Sequence, residues 1–202
     1  MFENIAAFDI GTSSIKVVTI KTGIKNFQVR NFIYEDISIE NENTDAITTV
    51  LKQIITENEL EEYKILINLP MQKTIIRNLS FPFSDKEKIA EAIPFETEDI
   101  IPFNLEDIVL DFQLIKNKNH ELGNVLLAAA PKEAVQKQIS YFKEVGISPI
   151  SMGLEAQAIF ECYRYFNKIK DEGIMQIDIG NEKTILNIIH DNNLLFEVKW
   201  LK

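Results

Sequence analysis

Cysteine is nearly missing from this chain, since Cys162 is the single one in 202 residues. No disulfide framework can form within it, and a reducing compartment suits it. Histidine is almost as scarce: His120 and His190 lie far apart, so no Cys/His metal cluster can be assembled. No apolar run approaches the roughly 18 residues of a spanning helix, and the start lacks the basic residues of a signal peptide. The expectation is a cytoplasmic protein with no direct membrane insertion. Positive charge is also short, with 21 Lys+Arg against 31 Asp+Glu and a net charge of -10. Phosphate contacts need clustered Lys and Arg, so nucleic acid is excluded as a partner, and so is unaided docking on anionic lipid. What is present is 46% hydrophobic and 26% charged residues, enough to bury a sizeable core.

The chain is organised around Ile5-Ala6-Ala7-Phe8-Asp9-Ile10-Gly11-Thr12-Ser13-Ser14-Ile15-Lys16-Val17-Val18. An apolar run reaches a carboxylate, breaks at a glycine and hydroxyls, and resumes as β-branched residues, which predicts strand–turn–strand. A tight turn at Gly11 can aim backbone amides at an anion, and the hydroxyls of Thr12, Ser13 and Ser14 add donors. Asp9 would be repelled by phosphate and is suited instead to hold Mg²⁺ or its waters, while Lys16 can neutralise phosphate charge. An ordinary Asp-Gly hairpin explains the same residues, and short motifs of this kind are loose.

A second copy follows near the other end, in Ile174-Met175-Gln176-Ile177-Asp178-Ile179-Gly180-Asn181-Glu182-Lys183-Thr184-Ile185-Leu186. Asp178, Gly180, Asn181, Lys183 and Thr184 occupy the corresponding places, with Asp178 as a second carboxylate for Mg²⁺. Two such hairpins suggest two related half-domains, each offering one phosphate-facing turn. The arrangement resembles the actin-like ATPase fold, in which the nucleotide lies between two lobes.

Between the hairpins, residues 5–9, 15–20 and 27–34 read as three consecutive strands, with Gly23 breaking between the last two. Asn43 or Thr44 can cap a helix carrying Ile47, Val50, Leu51, Ile54 and Ile55, and residues 64–69 form a buried strand stopped by Pro70. Residues 73–81 are strand-like. Ser84-Asp85-Lys86-Glu87 reads as a capping box opening a helix that Pro94 should end early or bend, with Phe95 turned inward and Glu96 and Glu98 solvated. Strands are expected at 106–114 and 125–129, around a polar tip at 116–122. Then come helix 132–144, strand 147–151, helix 154–167 and the second hairpin, with Asn192-Asn193 turning into a strand at 194–200.

Several ordered blocks resemble the PilM family, the actin-like cytoplasmic proteins of type IV pilus assembly. They are Asp99-Ile100-Ile101-Pro102-Phe103-Asn104-Leu105-Glu106-Asp107 with the acid-rich helix before it and Leu110-Asp111-Phe112 after it. They continue in Leu127-Ala128-Ala129-Ala130-Pro131-Lys132-Glu133, Val145-Gly146-Ile147-Ser148-Pro149-Ile150 and Glu155-Ala156-Gln157-Ala158. The cytoplasmic domain of type II secretion protein L is similar more weakly. Most of these residues read as core, marking the fold and no catalytic centre.

The resemblance implies an α/β fold: an actin-like (ribonuclease H-like) lobe with a small α/β insert and a second lobe only begun. The expected division is a first lobe at 1–70 and 131–172, an insert at 71–130 and the start of a second lobe at 173–202. It also implies a scaffold peripheral to the inner face of the cell membrane, recruiting the cytoplasmic tail of an inner-membrane pilus or secretion protein. The assembly ATPase and a second copy of the chain are further expected partners. ATP with Mg²⁺ is the implied cofactor pair. The sequence stops about where the family continues, so the adenosine grip is expected to be missing and nucleotide held by its phosphates alone to bind weakly. Hydrolysis further needs a group to orient water, and Glu155, at a place where some actin-like proteins carry one, reads more simply as an exposed acid in a helix's first turn.

Overall fold

The computed structural model describes residues 2–24, 26–37, 44–115, 122–167, 173–190 and 193–201. They divide into two compact units, the first formed by 1–70 with 135–155 and the second by 71–134 with 156–202.

In the first unit, β1 (Glu3–Ile10), β2 (Ser14–Thr22) and β3 (Phe27–Asp36) form an antiparallel meander. β4 (Lys64–Leu69) and β8 (Ser151–Leu154) add in parallel to give the order β3-β2-β1-β4-β8. Alternation of β-branched and polar residues puts Ala6, Phe8, Ile15, Val17, Ile65 and Ile67 on one buried face. α1 (Thr44–Glu57) lays Leu51, Ile54 and Ile55 on that face, and α3 (Lys132–Glu144) adds Tyr141 and Phe142. Asn43, one of the two expected caps, lies outside the described residues.

α3 ends where Gly146 takes φ +81°, with the Ile147 amide donating to the Phe142 carbonyl (2.9 Å) and the Gly146 amide to that of Lys143 (3.0 Å). This is the left-handed glycine stop that closes helix C-termini. It explains why the strand expected at 147–151 begins only at Ser151: the Ile147 amide is consumed by the helix end, and Pro149 has none to give.

The second unit is built on β7 (Gly123–Pro131), the central strand of the order β5-β7-β6, with β5 (Ile75–Phe81) and β6 (Ile108–Ile115) as edges. Both faces of β7 are covered, which is why its residues run apolar without alternation. Val125, Leu127 and Ala129 pack with Ile89 and Ile93 of α2 (Lys86–Thr97), and Leu126 packs with Phe160 of α4 (Glu155–Phe166) and Ile189. Ile189 belongs to β10 (Lys183–His190), which lies between β9 (Ile174–Ile179) and β11 (Asn193–Leu201) in an antiparallel meander. The expected polar tip falls at 116–121, outside the described residues, apart from Leu122.

Three further expectations are corrected here. The cap of α2 is Asp85, whose carboxylate accepts from the Lys88 amide (2.9 Å), so the helix start is one residue later than a Ser84 box would put it. The strand expected from 73 begins at Ile75, because Met71–Lys73 form a 3-10 turn after Pro70. The helix also runs through Pro94 to Thr97, and Phe95 is not inward but 78% exposed. The buried stripe is Ile89, Ile93 and Thr97, and Phe95 falls between its rows; the Thr97 hydroxyl donates to the carbonyls of Ile93 (2.8 Å) and Pro94 (3.0 Å). Phe95→Ala is therefore expected to change stability by no more than about 0.5 kcal/mol in urea unfolding. A loss of several kcal/mol would mean the ring is buried in solution.

Candidate functional site

The two Asp-x-Gly turns have the same backbone construction. In the first, β1 and β2 pair Asp9 with Lys16 and Ile10 with Ile15, and the Gly11 amide donates to the Ser14 carbonyl (2.9 Å). In the second, β9 and β10 pair Asp178 with Ile185 and Ile179 with Thr184, and the Gly180 amide donates to the Lys183 carbonyl (2.8 Å). A Cβ on Gly11 would stand 3.1 Å from the Ser14 carbonyl oxygen, and one on Gly180 3.0 Å from that of Lys183. Glycine is thus favoured at both places because the turn closes back on itself tightly there.

This closure alters the chemistry expected of Gly11 and Gly180: each amide is spent inside its own turn. Any anion must be held by the residues at the tip. The Ser13 carbonyl accepts from the Ile37 amide (2.8 Å), which ties the first turn to the end of β3. No hydrogen bond from the Thr12 or Ser13 amide to another described residue is seen. Thr12 is exposed and Ser13 half-buried, whereas Ser14 is buried at the start of β2. Lys16 lies across from Asp9 with Nζ–Oδ2 3.8 Å, both side chains well exposed, a pairing worth under about 1 kcal/mol. That leaves the ammonium available to an anion and the carboxylate available to a hydrated cation. The donor set of the first turn therefore fits a phosphate accompanied by Mg²⁺. The second turn fits less well: Asn181 is exposed and Lys183 and Thr184 half-buried, but exposed Glu182 adds negative charge at its tip.

Asp9 and Asp178 belong to different units. Among the described residues no group of three or more His, Cys, Asp or Glu could hold a metal ion, so a site would rest on single carboxylates and water. Glu155 is buried, not exposed as expected for an acid in a helix's first turn.

Sequence reasoning missed a cleft of about 110 Å³ in the second unit, bounded by Gln113 and Ile115 of β6, Phe160 and Arg164 of α4, and Leu194. Gln157 donates to Gln113 Oε1 (2.8 Å) at its rim, and the Arg164 guanidinium lies over the Phe160 ring while pairing with Glu161. No local signal marks it, because its walls come from four separate stretches of chain, Leu126 of β7 being the fourth.

Residues 7–199 match the sequence profile of the family described as type IV pilus assembly protein PilM. The chain belongs to that family. Its fold is the actin-like ATPase fold, with the β3-β2-β1-β4-β8 order of a ribonuclease H-like lobe and a second antiparallel meander in β9–β11. A solved chain from a PilM–PilN type IV pilus biogenesis complex is similar over 99% of this chain and 61% of its own, at 20% identity and a TM-score of 0.81. This PilM-family chain thus spans less than two thirds of that relative. The cytoplasmic domain of EpsL, an inner membrane component of the type II secretion system of Vibrio cholerae, is similar over 98% of this chain and 71% of its own, at 10% identity and a TM-score of 0.63. A Bacteroides thetaiotaomicron protein with an actin-like ATPase fold is similar over 99% and 70%, at 11% identity and a TM-score of 0.56. Among the described residues of this PilM-family member, no helix is long and apolar enough to cross a membrane.

Proposed function

We propose that this chain is a cytoplasmic scaffold of a type IV pilus assembly platform, recruiting the cytoplasmic tail of an inner-membrane pilus protein. The observation that carries the proposal is the family match across residues 7–199, with a fold shared with a chain from a PilM–PilN complex. The net charge of -10 disfavours direct binding to anionic lipid and suits a tail with basic residues near the membrane. The division into a first lobe, an insert at 71–130 and a second lobe from 173 is part of the same proposal. The test is calorimetric titration of the folded chain with synthetic peptides covering the cytoplasmic tails of the candidate pilus and secretion membrane proteins. Saturable binding of a pilus tail is expected; preference for a secretion tail would move the protein to the other platform, and no binding by any tail would remove the scaffold role.

A second reading, favoured by the shared construction of the two turns, is that each takes a phosphate of Mg-ATP. At the first turn a phosphate would be held at the Thr12–Ser13 tip, with Lys16 supplying charge and Asp9 holding hydrated Mg²⁺; at the second, taken by itself, Asn181, Lys183 and Asp178 would have the same roles. Contacts limited to phosphate give weak binding. NMR titration with Mg-ATP is expected to shift the amides of Thr12 and Ser13. Asp9→Ala should abolish the Mg²⁺ dependence of those shifts and leave the rest of the spectrum in place. If no amide of either turn responds, the turns serve the fold alone.

A further inference from the structure

β3 is the outermost strand of its sheet, and among the described residues no strand pairs with its far edge. The Asn31 amide donates to Thr19 Oγ1 (3.1 Å) and the Ile37 amide to the Ser13 carbonyl (2.8 Å), so odd positions here turn their backbone groups toward β2. Alternation along the strand turns those of Phe32 and Tyr34 to the open edge. Their side chains stand on the sheet face away from the core, across from Val18 and Lys16, and are 78% and 58% exposed. An open edge with aromatic residues beside it is a template for another strand.

The pattern of β3 is complementary to itself. We propose that β3 pairs antiparallel with β3 of a second copy, centred on Ile33. In this register Phe32 of each copy lies opposite Tyr34 of the other, and these residues exchange both backbone hydrogen bonds of a narrow pair. Arg30 of each copy faces Asp36 of the other, Glu35 faces Asn31, and no like charges are opposed. The bulge opposite Thr19 and Ile20 takes Arg30 out of the regular ladder, so it supplies charge and not a ladder bond, while 31–36 stay regular. Sliding the pair so that Phe32 faces itself loses both charge pairs, which is why the Ile33-centred register is favoured. Self-complementarity is also what singles out a second copy over an unrelated strand. A contact of this length falls below about 1,200 Å², the range of weak and transient association. The proposal is independent of the scaffold reading.

Sedimentation equilibrium of the intact chain over a wide concentration range is expected to fit a monomer–dimer equilibrium. Phe32→Lys with Tyr34→Lys should weaken it at least about tenfold, with unchanged circular dichroism because both side chains are exposed. Arg30→Asp alone and Asp36→Arg alone should each weaken the dimer, and the two together should restore it. A monomer at every concentration overturns the proposal. So does a dimer indifferent to the lysine pair, or a double charge exchange weaker than both single changes.

Discussion

Replacing Phe142 with alanine is expected to cost about 3–5 kcal/mol of stability. The ring is fully buried and meets Phe8 edge to face, with centroids 5.2 Å apart and planes at 86°. Around this pair lie Ile15, Val17, Leu51, Ile54 and Ile65, all essentially inaccessible. The strand residues among them are β-branched and held by the sheet ladder, so the walls of the void cannot close inward. Loss of the edge-to-face contact adds about 0.5–1.5 kcal/mol to the burial lost with the ring. Against a typical total of about 5–15 kcal/mol, this is enough to bring the protein close to unfolding at 25 °C. Urea unfolding should show a sharply lowered midpoint, with Phe142→Leu recovering most of the loss. A change below about 1 kcal/mol for the alanine variant would show that the core refills the space.

Gly123→Ala is expected to destabilise by about 1–3 kcal/mol, although it adds only a methyl group. Gly123 is buried at the start of β7, and a Cβ there would fall 2.3 Å from the Phe83 carbonyl oxygen and 2.5 Å from Ile89 Cδ1. The isoleucine tip can rotate away; the carbonyl belongs to the chain entering α2 and can move only with the backbone. Relief therefore requires separating the start of β7 from that segment or shifting α2, at the expense of the Phe81–Ile89–Val125 packing. Gly173→Ala is the control, since a Cβ there meets nothing within 4 Å. Equal melting temperatures for the two alanine variants would disprove the close approach at Gly123.

The elements that were legible in the sequence are those whose hydrophobic period and boundary signals agree. β4 and α3 fall at their expected limits, one closed by Pro70 and the other carried by Tyr141 and Phe142 on one face. Apolarity alone puts Phe95 inward, but helical phase does not: counting from Ile89 and Ile93 puts Thr97, not Phe95, on the buried row. The strand expected at 147–151 starts late because Ile147, apolar and two residues before Pro149, has the look of a strand residue but seals the end of a helix. Both Asp-x-Gly turns could be found by eye, since their glycine and carboxylate spacing is local. What could not be read was that each glycine amide is already bonded within its turn, because that depends on where the carbonyl three residues later points. The cleft beside Phe160 and Arg164 was invisible for the opposite reason, its walls being distant in sequence.

The first unit takes residues 1–70 and then 135–155, and this has a consequence for synthesis. The first four strands and α1 leave the ribosome with Phe8 lacking its Phe142 partner and the outer edge of β4 unpaired, because residues 135–155, which carry Phe142 and β8, are made only after the whole of 71–134. Closing that long loop costs entropy before its contacts are gained, so residues 1–70, although made first, should become resistant to protease only once 135–155 have emerged. During that interval a nascent chain exposes an apolar face and an unpaired strand, the features chaperones recognise. A nascent chain stopped just before residue 135 would remain in that state, whereas release of only twenty or so further residues would let the lobe close.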